Sequence, residues 1–322
     1  MRTELATEWK GAYTNECVGP FIGLSGLPNQ DVGLASILDS ISAFLQRYII
    51  FQLPEQSRAI ALWIAHCWTI DAFDFTPYLH VFSPEKRCAK SRLLNCLELL
   101  TPSPWQAVLP SEAVLFRKIE KDRPTLLLDE VDCIFSNNPK DEKQEALRSL
   151  LNAGFERGAK IPRCVGQGTS QEVKDFSVFC PKALAGIGRL PDTVADRSIG
   201  IHLVRRARGE KVERFRKREA QTWATPIRND LEAWSNRAGV KANLREARPE
   251  LPDELSDRQQ DITEPLLAIA DMAAGDWPEY AREGLVTLCN HVDEEDSLGA
   301  SSCCLAFTAR LTAATRLQHK TC

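Results

Sequence analysis

An apolar run, YLHVF (78–82), passes straight into the polar stretch SPEKRCAKSRLL (83–94), and the apolar positions Leu93, Leu94, Leu97 and Leu100 then recur with helical spacing. Strand, loop and helix in so short a span leave few ways to fold. TLLL (125–128), FSVFC (176–180) and SIGIHLV (198–204) read as further strands, and helical runs at 92–100, 111–121 and 141–154 separate the first three. TLLL and FSVFC are continuously apolar, as strands covered on both faces are. SIGIHLV alternates Ile199, Ile201 and Leu203, which suits a sheet edge. This alternation predicts an α/β fold whose parallel sheet is covered by helices.

Other segments frame that core. Residues 1–35 hold no sustained period and read as a lead-in. Ile37, Leu38, Ile41, Phe44, Leu45 and Tyr48 mark one helix face, and a second, apolar helix is expected over Gln56 to Ala72. The core is placed at 36–204. After residue 205 strand signals vanish, and a helical subdomain is expected over 205–298. The end, ASSCCLAFTARLTAATRLQHKTC, is rich in Ser, Thr, Ala and Cys. Residues 299–322 show no fold-specific pattern and little apolar periodicity to bury, so disorder is expected there.

Composition removes several function classes. A net charge of −4 rules out a chain that is basic overall, so any nucleic-acid surface must be local. The N-terminus lacks the basic-then-apolar order of a secretion signal. The most apolar helical stretch, AIALWIAHCWTI, has 12 residues, short of the roughly 20 needed to span a bilayer. A cytoplasmic chain without a membrane partner is expected. The 11 cysteines contain no C-x-x-C pair, so they read as reduced, structural thiols rather than as a metal framework.

The opening loop has the length of the phosphate-loop template G-x-x-x-x-G-K-[ST]. Aligned on Lys90-Ser91, the template puts Pro84 and Ala89 where its two glycines belong. Pro84, Glu85, Lys86, Arg87, Cys88 and Ala89 would cradle phosphates, Lys90 would reach the β- and γ-phosphates, and the Ser91 hydroxyl would ligate Mg²⁺. The following helix would aim its first N–H groups at the same phosphates. Alone, Ala-Lys-Ser is weak evidence and reads sooner as a surface turn with a helix-starting Ser. TLLLDEVD strengthens the first reading, because carboxylates directly after a buried strand are costly without a role. At the C-terminal end of a parallel strand they face the ligand crevice of an α/β sheet. There Asp129 would hold Mg²⁺ and Glu130 would polarise the attacking water, and Asp132 completes a tetrad of the helicase-box type.

Two further constellations stay open at this level. Arg197, before the last strand, is placed either to supply charge in trans to a neighbour's γ-phosphate, which implies a ring, or to pair with Asp192 or Asp196. Between Val204 and Arg218 eight basic residues, among them Arg205, Arg206, Arg208 and Lys211, stand against Glu210 and Glu213, a net +6. That stretch tracks a phosphate backbone, as of DNA, or forms a solvated helix with internal ion pairs.

SPEKRCAKSRLL, RPTLLLDEVDCIF, LLNAGFERGA, FSVFCPKALAGIG, LPDTVADRSIGI and PELPDELSDRQQDITEPLLAIADMAAGDWP, in this order and spacing, resemble domain-of-unknown-function family 3631 over roughly residues 36 to 298. The resemblance implies a P-loop NTPase of the ASCE/AAA+-like class, from primase–helicase-type replication proteins of phages and other mobile elements. It implies ATP and Mg²⁺ at Lys90, Ser91, Asp129 and Glu130, Arg197 as an arginine finger, and Lys182 as a γ-phosphate sensor. DNA, a homo-oligomeric ring and a primase are the partners it implies. Family loops end Gly-Lys-Thr, so Ala89 is a departure, whereas Ser91 keeps the hydroxyl. Family members also continue past SLG in helical sequence, so against the family residues 299–322 read as a frameshifted or truncated tail. If the loop needs a left-handed residue there, Ala costs roughly 1–2 kcal/mol, a weakening of binding on the order of ten- to thirty-fold. The expected function is an ATP-hydrolysing helicase-type motor impaired by Ala89; the alternative is an inactive P-loop interaction module or a truncated remnant.

Overall fold

A computed structural model describes residues 32–108, 110–135, 142–166, 172–207 and 209–290. Most of the lead-in, and the tail over 299–322, lie outside the described residues.

The first helix, α1 (Leu34–Tyr48), buries the face expected of it, with Ile37, Leu38, Ile41 and Leu45 inside. In α2 (Pro54–Thr69) the proline fits the first helical position, where no N–H is needed. Its turns from Ile60 to Ala65 are buried all round. β1 (Tyr78–Ser83) follows, then α3 (Lys90–Leu100), β2 (Pro104–Val108), α4 (Glu112–Asp122) and β3 (Thr125–Asp129). After these come α5 (Val131–Ile134), α6 (Glu142–Ala153), a hairpin of β4 (Lys160–Val165) and β5 (Glu172–Ser177), β6 (Lys182–Ile187), α7 (Asp192–Ala195) and β7 (Ser198–His202). α8 (Lys217–Ser235), α9 (Val240–Glu246), α10 (Asp257–Ala273) and a helix over 277–290 complete the described chain.

Five strands form one parallel sheet in the order β2-β3-β6-β1-β7. Helices flank it: α3 packs across its strands, and Tyr78 of β1 donates its hydroxyl to the Leu151 carbonyl of α6 at 2.6 Å. β7 lies at an edge, as its alternation suggested. The C-terminal helices do not stand apart from this core. α8 packs against α1 and α3, α10 packs against α2, and Trp277 donates its indole N–H to Asp39 of α1 at 3.2 Å. Among the described residues no helix is long and apolar enough to cross a membrane.

Three segments differ from expectation. FSVFC is not a sheet strand: Phe176 and Ser177 end β5 of the antiparallel hairpin, and the sheet strand is KALAGI (182–187). A lysine and a glycine disguise it, although five of its six residues are buried. β2 escapes a pattern search because it begins with proline and lies half-exposed at the other sheet edge, where a missing N–H is tolerated. The basic stretch after β7 is not helical until Lys217. Gly209 takes φ 104° within it, a left-handed value that glycine accepts without strain.

Candidate functional site

The parallel register puts the ends of β1 and β3 at one edge of the sheet. Ser83 of β1 is level with Ile187 of β6, and Asp129 is the last residue of β3. The loop after β1 then turns sharply into α3. Arg87 (φ 70°) and Ala89 (φ 63°, ψ 12°) are both left-handed, and Ala89 caps the helix. The condition on which Ala89 was expected to be costly is therefore met. Turns of this kind gather N–H groups into an anion-binding concavity. The first bond of α3 runs from Leu93 N–H to the Ala89 carbonyl at 2.9 Å, so the N–H groups of the first turn have no intrahelical acceptor.

Side chains complete the loop. The Lys90 ammonium donates to the Ser83 hydroxyl and to the Glu85 carbonyl at 3.3 Å, and Ser83 Oγ donates to that carbonyl at 2.7 Å. Pro84, Glu85, Lys86 and Arg87 form the exposed rim, whereas Cys88 is buried. Ser91 Oγ donates to Asp129 Oδ2 at 2.8 Å, and the backbone N–H of Glu130 donates to Asp129 Oδ1 at 3.0 Å. Glu130 itself is left-handed (φ 58°), exposed, and begins α5. Asp132 turns the other way: its Oδ1 accepts the Ile187 N–H at 2.9 Å and ties α5 to β6. Gly186 permits that approach, since a Cβ there would lie 2.8 Å from Val131 Cγ2 and 3.0 Å from Asp132 Oδ1.

An open cleft of about 660 Å³ lies over this loop. The loop and the start of α3 form one wall, Tyr48 at the end of α1 and Ile50 just beyond it another, and Val204, Arg205, Arg206, Ala207, Gly209 and Val212 a third. Arg87, Lys90, Arg92, Arg205 and Arg206 line it, and no described carboxylate does. Arg92 is partly engaged, donating to the Tyr48 carbonyl at 3.1 Å.

Loop, Ser91, Asp129 and Glu130 thus come together; Lys182 and Arg197 do not join them. Both sit at the opposite edge, where β6 and β7 begin. Lys182 is fully buried, and its ammonium donates to the carbonyls of Gly154 (3.1 Å), Val178 (2.9 Å) and Cys180 (2.9 Å). With all three donors engaged in the core, it has none left for a γ-phosphate in this cleft. Burial lowers its pKa, with Cys180 opposing. The Arg197 guanidinium donates to the Thr193 carbonyl rather than to Asp192 or Asp196, and its buried Nε has no partner. Its pKa is lowered by burial first and then by the neighbouring Arg258. Lys211 is exposed outside the cleft lining, and Arg208 lies outside the described residues.

Sequence reasoning missed Tyr48 and Ile50, and it did not place Arg205 and Arg206 at this cleft. The signal for the arginines is topological. β7 pairs with β1, so the chain leaving β7 emerges beside the loop leaving β1.

Residues 202–313 match the model of a family described as protein of unknown function, DUF3631. That span starts at the end of β7 and takes in Arg205, Arg206, the C-terminal helices and residues 299–313, so the match is shorter at its start than the resemblance over 36 to 298 and runs on into the end read as a departure. Of the six blocks only PELPDELSDRQQDITEPLLAIADMAAGDWP lies within it; the 84–91 loop and Asp129 precede it. A protein of Saccharopolyspora erythraea, described as an uncharacterized 28.9 kDa protein in xis 5'region, is 40% identical over 92 residues. The match covers 29% of this chain and 34% of that protein, so the chain spans about a third of the relative's length.

Proposed function

We propose that this chain is an ATPase of the ASCE/AAA+-like P-loop class, acting as a helicase-type motor in DNA replication or mobilisation of a phage or other mobile element. The observation that carries the reading is the 2.8 Å contact between Ser91 and Asp129. A hydroxyl from the helix after the loop and a carboxylate from a separate strand are held side by side, the oxygen pair a Mg²⁺ ion needs beside phosphates. Bound there, Mg²⁺ would neutralise charge on the phosphate oxygens. The first-turn N–H groups of α3 and Lys90 bind and orient the phosphates. Glu130, exposed one residue beyond Asp129, accepts the proton of the attacking water.

Arg197 is out of reach of its own cleft, so its catalytic reading requires a second copy: a homo-oligomeric ring in which it serves the neighbour's site. DNA and a primase belong to the same reading and rest on the resemblance of the chain to replication proteins. A non-catalytic interaction module is the competing reading, and Ala89, whose methyl group stands where the template has a glycine, is the observation on its side.

ATP turnover with and without single-stranded DNA, measured beside Glu130→Gln, tests this. Turnover abolished by Glu130→Gln supports the motor. Nucleotide binding without turnover in the unmodified chain supports the interaction module.

A further inference from the structure

The segment between β7 and α8 is a strap held at both ends. At its start, Leu203 N–H donates to the Phe82 carbonyl at 2.8 Å, continuing the β1–β7 ladder to the edge where the phosphate-type loop begins. At its far end, Glu213 N–H donates to the Arg47 carbonyl at 3.0 Å, and the Glu213 carboxylate pairs with Arg47 Nε at 2.7 Å. Phe215 packs edge-on against Tyr48 with ring centroids 5.2 Å apart. Between these anchors Val204 to Ala207, with Gly209 and Val212, line the cleft as its third wall.

The charges on this strap are not evenly compensated. Neither of its two acids pairs with Arg205 or Arg206: Glu213 holds Arg47, and Glu210 accepts the Ala207 backbone N–H at 2.8 Å. Farther on, Arg216 pairs with Glu219 and Lys217 with Glu98. Arg205 and Arg206 have no hydrogen bond or ion pair among the described residues, and both line the cleft. They face it together with Arg87 and Lys90 from the loop. Like charges gathered around one acid-free cleft repel one another, and an anion bound between them removes that repulsion. Guanidinium groups suit phosphate oxygens, which they can hold through two parallel hydrogen bonds.

We infer that Arg205 and Arg206 bind the phosphate chain of the ligand seated on the 84–91 loop, as a second set of phosphate contacts delivered by the strap. This rests on reading that loop as a phosphate site. It assigns to a polyphosphate ligand two arginines whose sequence context pointed to a nucleic-acid backbone.

The test is calorimetric titration of ATP, adenosine and inorganic tripolyphosphate into the unmodified chain, Arg205→Ala/Arg206→Ala and Arg205→Lys/Arg206→Lys. Arg218→Ala, on α8, serves as a charge control, and melting curves confirm that each variant is folded. Loss of the charge-assisted bonds weakens ATP and tripolyphosphate on the order of tenfold or more per arginine. Adenosine binding and the Arg218→Ala affinities stay level, and the double lysine variant recovers part of the loss. ATP and tripolyphosphate affinities within about twofold of the unmodified chain overturn the inference, as does a double-alanine variant that loses only single-stranded DNA binding. Arginine-dependent binding of tripolyphosphate without ATP binding would uphold the inference and remove the nucleotide reading. An unmodified chain that binds neither removes both.

Discussion

Ser91 Oγ and Asp129 Oδ2, thirty-eight positions apart in sequence, lie 2.8 Å apart. Neither residue sets that distance alone. Ser91 is carried by the first turn of α3, Asp129 by the end of β3, and β6 between β1 and β3 fixes their separation. The other carboxylate oxygen accepts the Glu130 N–H at 3.0 Å, so Asp129 is oriented by two donors. Asp129→Asn keeps the shape and removes the negative charge. Titration of Mg²⁺ with nucleotide present should show that the variant loses the metal-dependent gain in affinity. Turnover should fall on the order of 10²-fold or more, with little change in melting temperature.

Ala89 is left-handed in the free chain, so its strain of roughly 1–2 kcal/mol is present before any ligand binds. Ala89→Gly should therefore act first on stability. Glycine removes the strain but gives the unfolded chain more freedom, which offsets about 0.4–1 kcal/mol. The net gain expected in urea unfolding is about 0–1.6 kcal/mol. A rise in nucleotide affinity beyond this would have a different origin, contact between the Ala89 methyl group and a phosphate. The two measurements separate backbone strain from steric exclusion.

The site was legible where chemistry and local pattern coincide. Lys90-Ser91 after an apolar strand and Asp129-Glu130 after another can be read without tertiary information, and the sheet brings both pairs to one edge. The cleft walls were not legible, because Tyr48 and Arg205 meet the loop only through the pairing of β7 with β1 and the packing of α1. Lys182 misled for a physical reason. A lysine after an apolar run resembles a functional cation at a strand end, whereas here it opens the strand and satisfies three core carbonyls. The hairpin misled similarly: Phe176 and Val178 are buried and look like sheet core, but the chain between them leaves β5 rather than continuing a central strand.

His66 and His80 make stability depend on pH. Burial holds the pKa of each at about 3, in His80 with help from Arg189. His66 shares a 3.0 Å hydrogen bond with Thr76 Oγ1 inside the core. Both stay neutral in the folded chain and titrate near 6.5 when unfolded. The unfolded state therefore binds more protons below that pH, and stability falls as pH drops from about 6.5 toward 3. Each histidine contributes up to ~1.4 kcal/mol per pH unit within that window. Urea unfolding between pH 7 and pH 5 should show this slope, and His66→Gln, which keeps a polar partner for Thr76, should reduce it by about half.

Lys182 and Gly154 form one structural unit, and its disruption should be felt in folding rather than in catalysis. The Gly154 carbonyl accepts from the Lys182 ammonium at 3.1 Å, and a Cβ on Gly154 would lie 2.6 Å from that nitrogen and 2.5 Å from the Val178 carbonyl oxygen. Lys182→Met fills similar volume but leaves the carbonyls of Gly154, Val178 and Cys180 without their buried donor. Orphaned acceptors of this kind cost roughly 1–3 kcal/mol each when no water reaches them, and partial relaxation makes about 2–4 kcal/mol the expected loss in urea unfolding. Gly154→Ala should lose stability through the same contacts. At temperatures where Lys182→Met remains folded, nucleotide affinity and turnover per folded molecule should match the unmodified chain. A variant that folds with full stability but turns over poorly would instead support the sensor role that the resemblance implies for Lys182.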